Sequence, residues 1–508
     1  MPSAHILTSL FETNQIDLRR GALFDRSPGP MPDSLNFGRI EGMMLGLAIG
    51  DALGATTEGQ LPQKRRAAHG EIRHYLPNRY AGGRPVGLPS DDTQLAFWTL
   101  EQMIADQVFD PERVAVRFCR DHIFGIGSSV RQFVANHKTG LPWYRCGPKS
   151  AGNGALMRIA PMLIPHLETG TPDLWADTAL SAMITHNDSA SISACLSFIH
   201  MLWQLLQMDA PPEPDWWRET YVETARDLEV DDTYTPRKKG LAYQGTLWRF
   251  VEEHVGKAYH QGLSVLQACD TWYSAAYLLE TVPSVLYILT CHGDDPEEAV
   301  VRAVNDTKDN DTIAAIVGAA VGALHGKDAI PERWLSNLLG RTTDRDDGRV
   351  FELLEQAKAL WWSRSPGTRD RMQPAQEPAL AQIDELLRFL PLFDVPNRDF
   401  VERWGGGEKT ESGAITMPYP VYPRDVEQFY RLAGQHCWSD YDYEPRKAAR
   451  MLEDEAVIQS ATLAEVKTML TYCVRGERFS DGHWAAMLES GKIVVLLKRL
   501  RALRKEMG

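Results

Sequence analysis

The chain has 508 residues, 44% hydrophobic and 24% charged, with 68 acidic against 54 basic side chains and a net charge of −14. The composition is ordinarily globular, and the length exceeds the roughly 250–300 residues that one hydrophobic core usually fills. The acidic balance argues against direct nucleic-acid binding, and seven scattered cysteines without a CxxC pair argue against a thiolate zinc site and for a reducing compartment.

In chain order, residues 1–37 read as a polar N-terminal extension bearing Pro28, Pro30 and Pro32. No basic segment followed by an apolar one opens the chain, and the most apolar stretches, Met43–Ala55 and Ile313–Leu324, are too short to span a bilayer. A soluble cytoplasmic protein without a membrane partner is expected. Helical periodicity dominates from Ile40 to Trp362 with almost no strand-like alternation, so an all-α domain is expected over residues 38–363. The charged, Pro-bearing segment 364–377 reads as a linker. Residues 378–508, ending in the basic helix Ile493–Lys505, read as a small, mainly helical accessory domain.

Two helical stretches carry glycine at every fourth position: Gly42, Gly46, Gly50 and Gly54 in the first, Gly318, Gly322 and Gly326 in the second. Such spacing strips one helix face of side chains, and each glycine costs about 1 kcal/mol of helix propensity relative to alanine. A packing reason is therefore required. Either the two helices meet backbone to backbone, or each packs tightly on some other helix.

Acid is concentrated at two helix starts, Ser90-Asp91-Asp92-Thr93 and Asp309-Asn310-Asp311-Thr312. Capping explains one such residue at a helix N-terminus but not a row of them, because adjacent carboxylates repel. Carboxylates and hydroxyls without His or Cys suit Mg2+, Mn2+ or Ca2+ better than zinc. Asp51 and Glu58, at the end of the first glycine-bearing helix, are further candidate acids, and Lys308 is the one base close in sequence to either cluster.

These residues, as GLAIGDALGATTE (Gly46–Glu58), SDDT (Ser90–Thr93) and DNDTIAAIVGAAVGA (Asp309–Ala323), resemble the ADP-ribosylglycohydrolase family. GIGSSVR (Gly125–Arg131), SAGNGALMRIAP (Ser150–Pro161) and THND (Thr185–Asp188) agree in the same order. The resemblance covers Arg39 to Gly326. It implies an all-α fold with a binuclear centre of two divalent cations, Mg2+ or Mn2+. By position the metal ligands would be Ser90, Asp91, Asp92, Asp309, Asp311 and Thr312. Glu58, Asp92 and Asp311 would be the catalytic acids and bases. Gly125, Gly127, Ser128, Ser150, Gly152, Asn153, Gly154 and His186 would bind substrate, with Tyr277 either an adenine platform or plain core.

The pattern departs from the family where Ser90 replaces threonine, where Thr307-Lys308 replaces two glycines, and where Ala151 replaces an aromatic residue found in animal relatives. The implied activity is removal of ADP-ribose from an ADP-ribosylated protein or other target. The alternatives are a hydrolase of a free ADP-ribosyl metabolite and an immunity protein that binds a cognate ADP-ribosyltransferase. MPYPVYP (Met417–Pro423) and RGERFSDGHW (Arg475–Trp484) resemble an uncharacterised bacterial domain, in which Arg475, Arg478, His483 and Trp484 form either a recognition surface or a structural knot.

Overall fold

In a computed structural model, the described residues are 3–231, 233–362, 378, 380–396, 398–405, 419–434, 438, 440, 445–478 and 482–507. The chain divides into two compact units, residues 1–364 and 365–508. The expected linker, 364–377, lies outside the described residues.

The regular structure described in the first unit is helical, as its periodicity predicts. Residues 1–37 are more than a polar lead. Helix Ser3–Glu12 buries Leu7 and Leu10, and Ile16, Leu18, Leu35 and Phe37 join the same hydrophobic core. Leu7 and Leu10 lie three apart on one helix face, and Ala4, Ile6 and Phe11 pack partly buried against the same core. Helix Ser189–Gln207, a further apolar stretch besides Met43–Ala55 and Ile313–Leu324, is long and apolar enough to cross a membrane by length and composition, but 89% of that stretch is buried inside the fold.

The glycine-bearing helices meet. Helix Phe37–Ala55 runs antiparallel to helix Asn310–His325, and Gly42, Gly46, Gly50 and Gly54 of the first face backbone of the second or of its C-terminal end. A Cβ on Gly46 would sit 2.1 Å from the Gly318 carbonyl oxygen, and one on Gly50 would sit 2.0 Å from that of Ala314. At the last step of the seam a Cβ on Gly54 would lie 2.4 Å from the Asp311 Cα. The seam thus brings the end of one helix, with Asp51 and Glu58, to the start of the other, with Asp309 and Asp311. Side chains on this face would push the helices apart, so helix propensity is given up for proximity of the acids.

The second unit has its own core, which includes Phe389, Phe429, Tyr430, Leu470, Leu496 and Leu500. Its described strands form a two-stranded antiparallel ribbon, Arg403–Gly405 with Tyr419–Val421. Tyr430 and Trp484 stack with ring centroids 4.4 Å apart. Met417, Pro418, Phe479, Ser480 and Asp481 of the two motifs lie outside the described residues.

Candidate metal centre and substrate cleft

The two acidic helix starts are not explained by capping. Ser90 precedes helix Asp91–Asp106 and Asp309 precedes helix Asn310–His325, and neither side chain caps its helix. Asp51, on helix Phe37–Ala55, does this work for the first of them. Its carboxylate accepts from the Ser90 N–H at 2.9 Å, the Thr93 N–H at 3.0 Å and the Thr93 hydroxyl at 2.6 Å. With the helix start satisfied in this way, Asp91 and Asp92 are not needed as caps.

The acids converge. Carboxylate oxygens of Asp51, Asp92 and Asp311 lie within 4.8 Å of one another, and so do those of Glu58, Asp309 and Asp311. Asp311 belongs to both groups. Asp92 Oδ2 accepts from the Ser90 hydroxyl at 3.1 Å, but Asp92 Oδ1 and Asp311 Oδ1 are buried without a hydrogen-bond partner. Buried polar atoms normally find partners, so two orphaned carboxylate oxygens in one cluster mark a place built for a ligand.

Electrostatics agrees. Burial, followed by repulsion from Asp51, pushes Asp91 up to about 7. Burial raises Asp309 to about 6, against a hydrogen bond from Asn153 that lowers it. Asp92 and Asp311 are driven well above the carboxylate range by burial and by neighbouring acids. Glu58 is exposed at the rim, yet partial desolvation of its carboxyl and the charges on Asp309 and Asp51 raise it too. Oxygen donors with excess negative charge and unfilled lone pairs fit hard divalent cations, and no His or Cys joins either acidic group.

The facing wall is glycine-rich backbone. A cleft runs between the acids and the segments carrying Gly125, Gly127, Ser128, Gly152, Asn153, Gly154 and His186. Gly125 has φ +59°, a backbone region that favours glycine. Gly127 precedes helix Ser128–Lys138 with no capping side chain, leaving the helix start to present bare N–H groups, the usual geometry for anions. Gly152 and Gly154 make room for His186: a Cβ on either would come within 3.3 Å and 2.9 Å of its ring, respectively. Burial and the nearby Arg158 push His186 down to about 3, so its imidazole is neutral, with Nδ1 3.0 Å from the Thr185 hydroxyl.

Asn153 joins the two walls, donating to Asp309 at 2.6 Å and to Thr281 at 3.0 Å. Among the expected site residues, Asp91, Asp92, Asp309, Asp311, Thr312 and Glu58 also line the cleft, whereas Ser90 and Ser150 are set back. Ser150 braces the loops instead, 2.8 Å from the Ser129 hydroxyl.

Several contributors escaped sequence reasoning. Ser129, Val130, Met157 and Ala276 complete the lining. Asp51, already a candidate acid from the sequence, organises the SDDT turn, a role that its position in the chain does not reveal. Arg65 lies fully buried behind the acids, with nothing local to distinguish it from Lys64 and Arg66, both exposed. Lys308 turns to Tyr273, donating to its hydroxyl at 2.5 Å. Tyr277 is half-buried beside Gly152, with the Arg237 guanidinium 5.2 Å above its ring.

Known proteins place the chain. Residues 378–506 match a family of unknown function (DUF6508). An uncharacterised protein of Archaeoglobus fulgidus is 33% identical over 60% of this chain and 92% of its own length. An ADP-ribosylarginine hydrolase of Pseudomonas putida is 25% identical over 59% of this chain and 74% of its own. The ADP-ribosyl-[dinitrogen reductase] glycohydrolase of Rhodospirillum rubrum is 26% identical, over 59% and 90%. A solved ADP-ribosylglycohydrolase-related protein complex is 28% identical, over 64% of this chain and 97% of that one, at a TM-score of 0.46. Residues 32–363, most of the chain, match the ADP-ribosylglycohydrolase profile, and the chain belongs to the ADP-ribosylglycohydrolase family, whose enzymes hydrolyse ADP-ribose linkages.

Proposed function

We propose that this chain is a divalent-cation-dependent hydrolase that cleaves the glycosidic bond between ADP-ribose and a modified target, foremost an ADP-ribosylated protein. The observation that carries this reading is the pair of buried, partnerless oxygens on Asp92 and Asp311, which come from two separate helix starts. Asp91, Asp92, Asp309, Asp311 and Thr312 would hold two Mg2+ or Mn2+ ions, with Ser90 beside them. Bound cations of this kind orient sugar hydroxyls, lower the pKa of water and stabilise developing charge.

The chain's own groups supply the rest. The bare N–H groups at Gly127–Ser128 and the Gly152–Gly154 backbone would take the diphosphate and fix the sugar beside the acids. Neutral His186 would offer a ring nitrogen to the bound nucleotide without adding charge. Glu58, on the rim and raised by its acidic neighbours, would accept the proton of the attacking water. Two relatives are named for arginine-linked and dinitrogen-reductase-linked ADP-ribose, which makes an arginine linkage the first substrate to test.

The experiment is release of free ADP-ribose from arginine-, serine- and DNA-linked standards, with Mg2+ or Mn2+ and with a chelator. Release from one linkage that stops on chelation is the expected result. Absence of release from all three, or release indifferent to the chelator, would overturn the reading.

A further inference from the structure

We infer that Arg65 is a positioning residue that ties the Glu58 turn to the loop leading into Asp309 and so sets the spacing between the two halves of the cation site. The inference rests on the cation-binding reading proposed above. Arg65 sits in helix Pro62–His69 between Lys64 and Arg66, which are exposed, yet it is itself fully buried.

No carboxylate pairs with it among the described residues. Nε donates to the Thr57 hydroxyl at 3.0 Å, and Nη2 donates to the carbonyls of Gln60 at 2.9 Å and Thr57 at 3.4 Å. Nη1 donates to the carbonyls of Thr307 at 2.8 Å and Asn305 at 3.2 Å. The first three acceptors flank Glu58. The other two belong to the approach to Asp309, 240 residues further along the chain in the case of Asn305.

A buried guanidinium is tolerated when its N–H groups are satisfied, and here that satisfaction is divided between the two segments that bring acids to the cleft. Thr57 is the hub. Its hydroxyl also accepts from Asn310 Nδ2 at 3.0 Å, so the residue between Asp309 and Asp311 is tied to the residue before Glu58. Asn310 in turn reaches back to the Val304 carbonyl at 3.2 Å. The guanidinium charge faces Asp311 and Asp306, the sign needed behind a cluster of acids. A lysine would keep that charge but cannot bridge both segments with a planar fork.

The test titrates the full chain with Mn2+ and follows it by electron paramagnetic resonance, which counts bound ions and reports spin coupling between neighbours. Arg65→Lys and Thr57→Val are compared with the parent below their melting temperatures. The parent should bind two coupled ions. Arg65→Lys should bind at least one of them about 10–100-fold more weakly, the scale for losing a group that orients ligands, with altered coupling. Thr57→Val should move the same way by less, and it decides the matter if Arg65→Lys does not fold. Parent-like affinity and coupling in the folded variants would overturn the inference, whatever their melting temperatures, and leave the functional reading standing. A parent that binds no Mn2+ would overturn that reading and the inference with it.

Discussion

Acidic residues of the two units meet different fates. In the second unit, Glu477 accepts from the Tyr422 hydroxyl at 2.6 Å, the Gly482 N–H at 2.9 Å and the Trp484 N–H at 2.6 Å. In the first, Asp92 and Asp311 each keep an oxygen buried and partnerless. An acid whose oxygens are all engaged holds a local fold together. An acid held away from partners, at a cost in desolvation, is reserved for a ligand. Asp51 shows the same contrast at close range, because its carboxylate is engaged by Ser90 and Thr93 while Asp92 and Asp311 beside it each keep one oxygen without a partner.

The comparison breaks most sharply at the unpartnered acids. Asp92→Asn and Asp311→Asn should each abolish turnover while the fold survives. The cation-free variants should melt no lower than the parent, because Asn carries no charge for the buried acid cluster to repel. Residual turnover near the parent level in either would place the acids outside the reaction. Glu58→Gln comes next. It keeps the side-chain shape but loses the proton acceptor, so turnover should fall about 100-fold with little change in ADP-ribose affinity. Full activity in that variant would remove Glu58 from the assignment.

For the partnered acid the expectation reverses. Glu477→Gln should leave turnover on a small ADP-ribosylated substrate unchanged and cost about 1–3 kcal/mol of stability, read by denaturant unfolding of the second unit. A loss of turnover without a loss of stability would show that the RGERFSDGHW motif serves chemistry.

The smallest effect is a trend with pH. Asp91 and Asp309 titrate near 7 and 6 in the folded chain, above their unfolded range near 4. The folded state therefore holds these protons more tightly than the unfolded one. Their contribution to cation-free stability is complete below about pH 4 and is lost as pH rises through 6 and 7. Saturating Mn2+ should raise the melting temperature more at pH 8 than at pH 5. An equal gain at both would contradict an acid cluster relieved by the ion.

Much of this is legible in the sequence. The fourfold glycine spacing demanded a close backbone approach, and the rows of acid at Ser90–Thr93 and Asp309–Thr312 exceeded what capping needs. What stayed hidden depends on tertiary approach. Arg65 reads as one cation in an exposed basic run, and only the Asn305–Thr307 segment, folded against it from far along the chain, makes it a buried clasp. Leu7 and Leu10 likewise acquire meaning only when the first helix meets the core. For the C-terminal motif, sequence left a recognition surface and a structural knot open, and the hydrogen bonds around Glu477 and the Tyr430–Trp484 stack favour the knot.

The most direct test of the central claim is a count of bound cations. Calorimetric titration of the full chain with Mn2+ should give two ions per chain in the parent and loss of binding at one or both sites in Asp92→Asn and Asp311→Asn. Unchanged stoichiometry and affinity in both variants, or no binding in the parent, would contradict it.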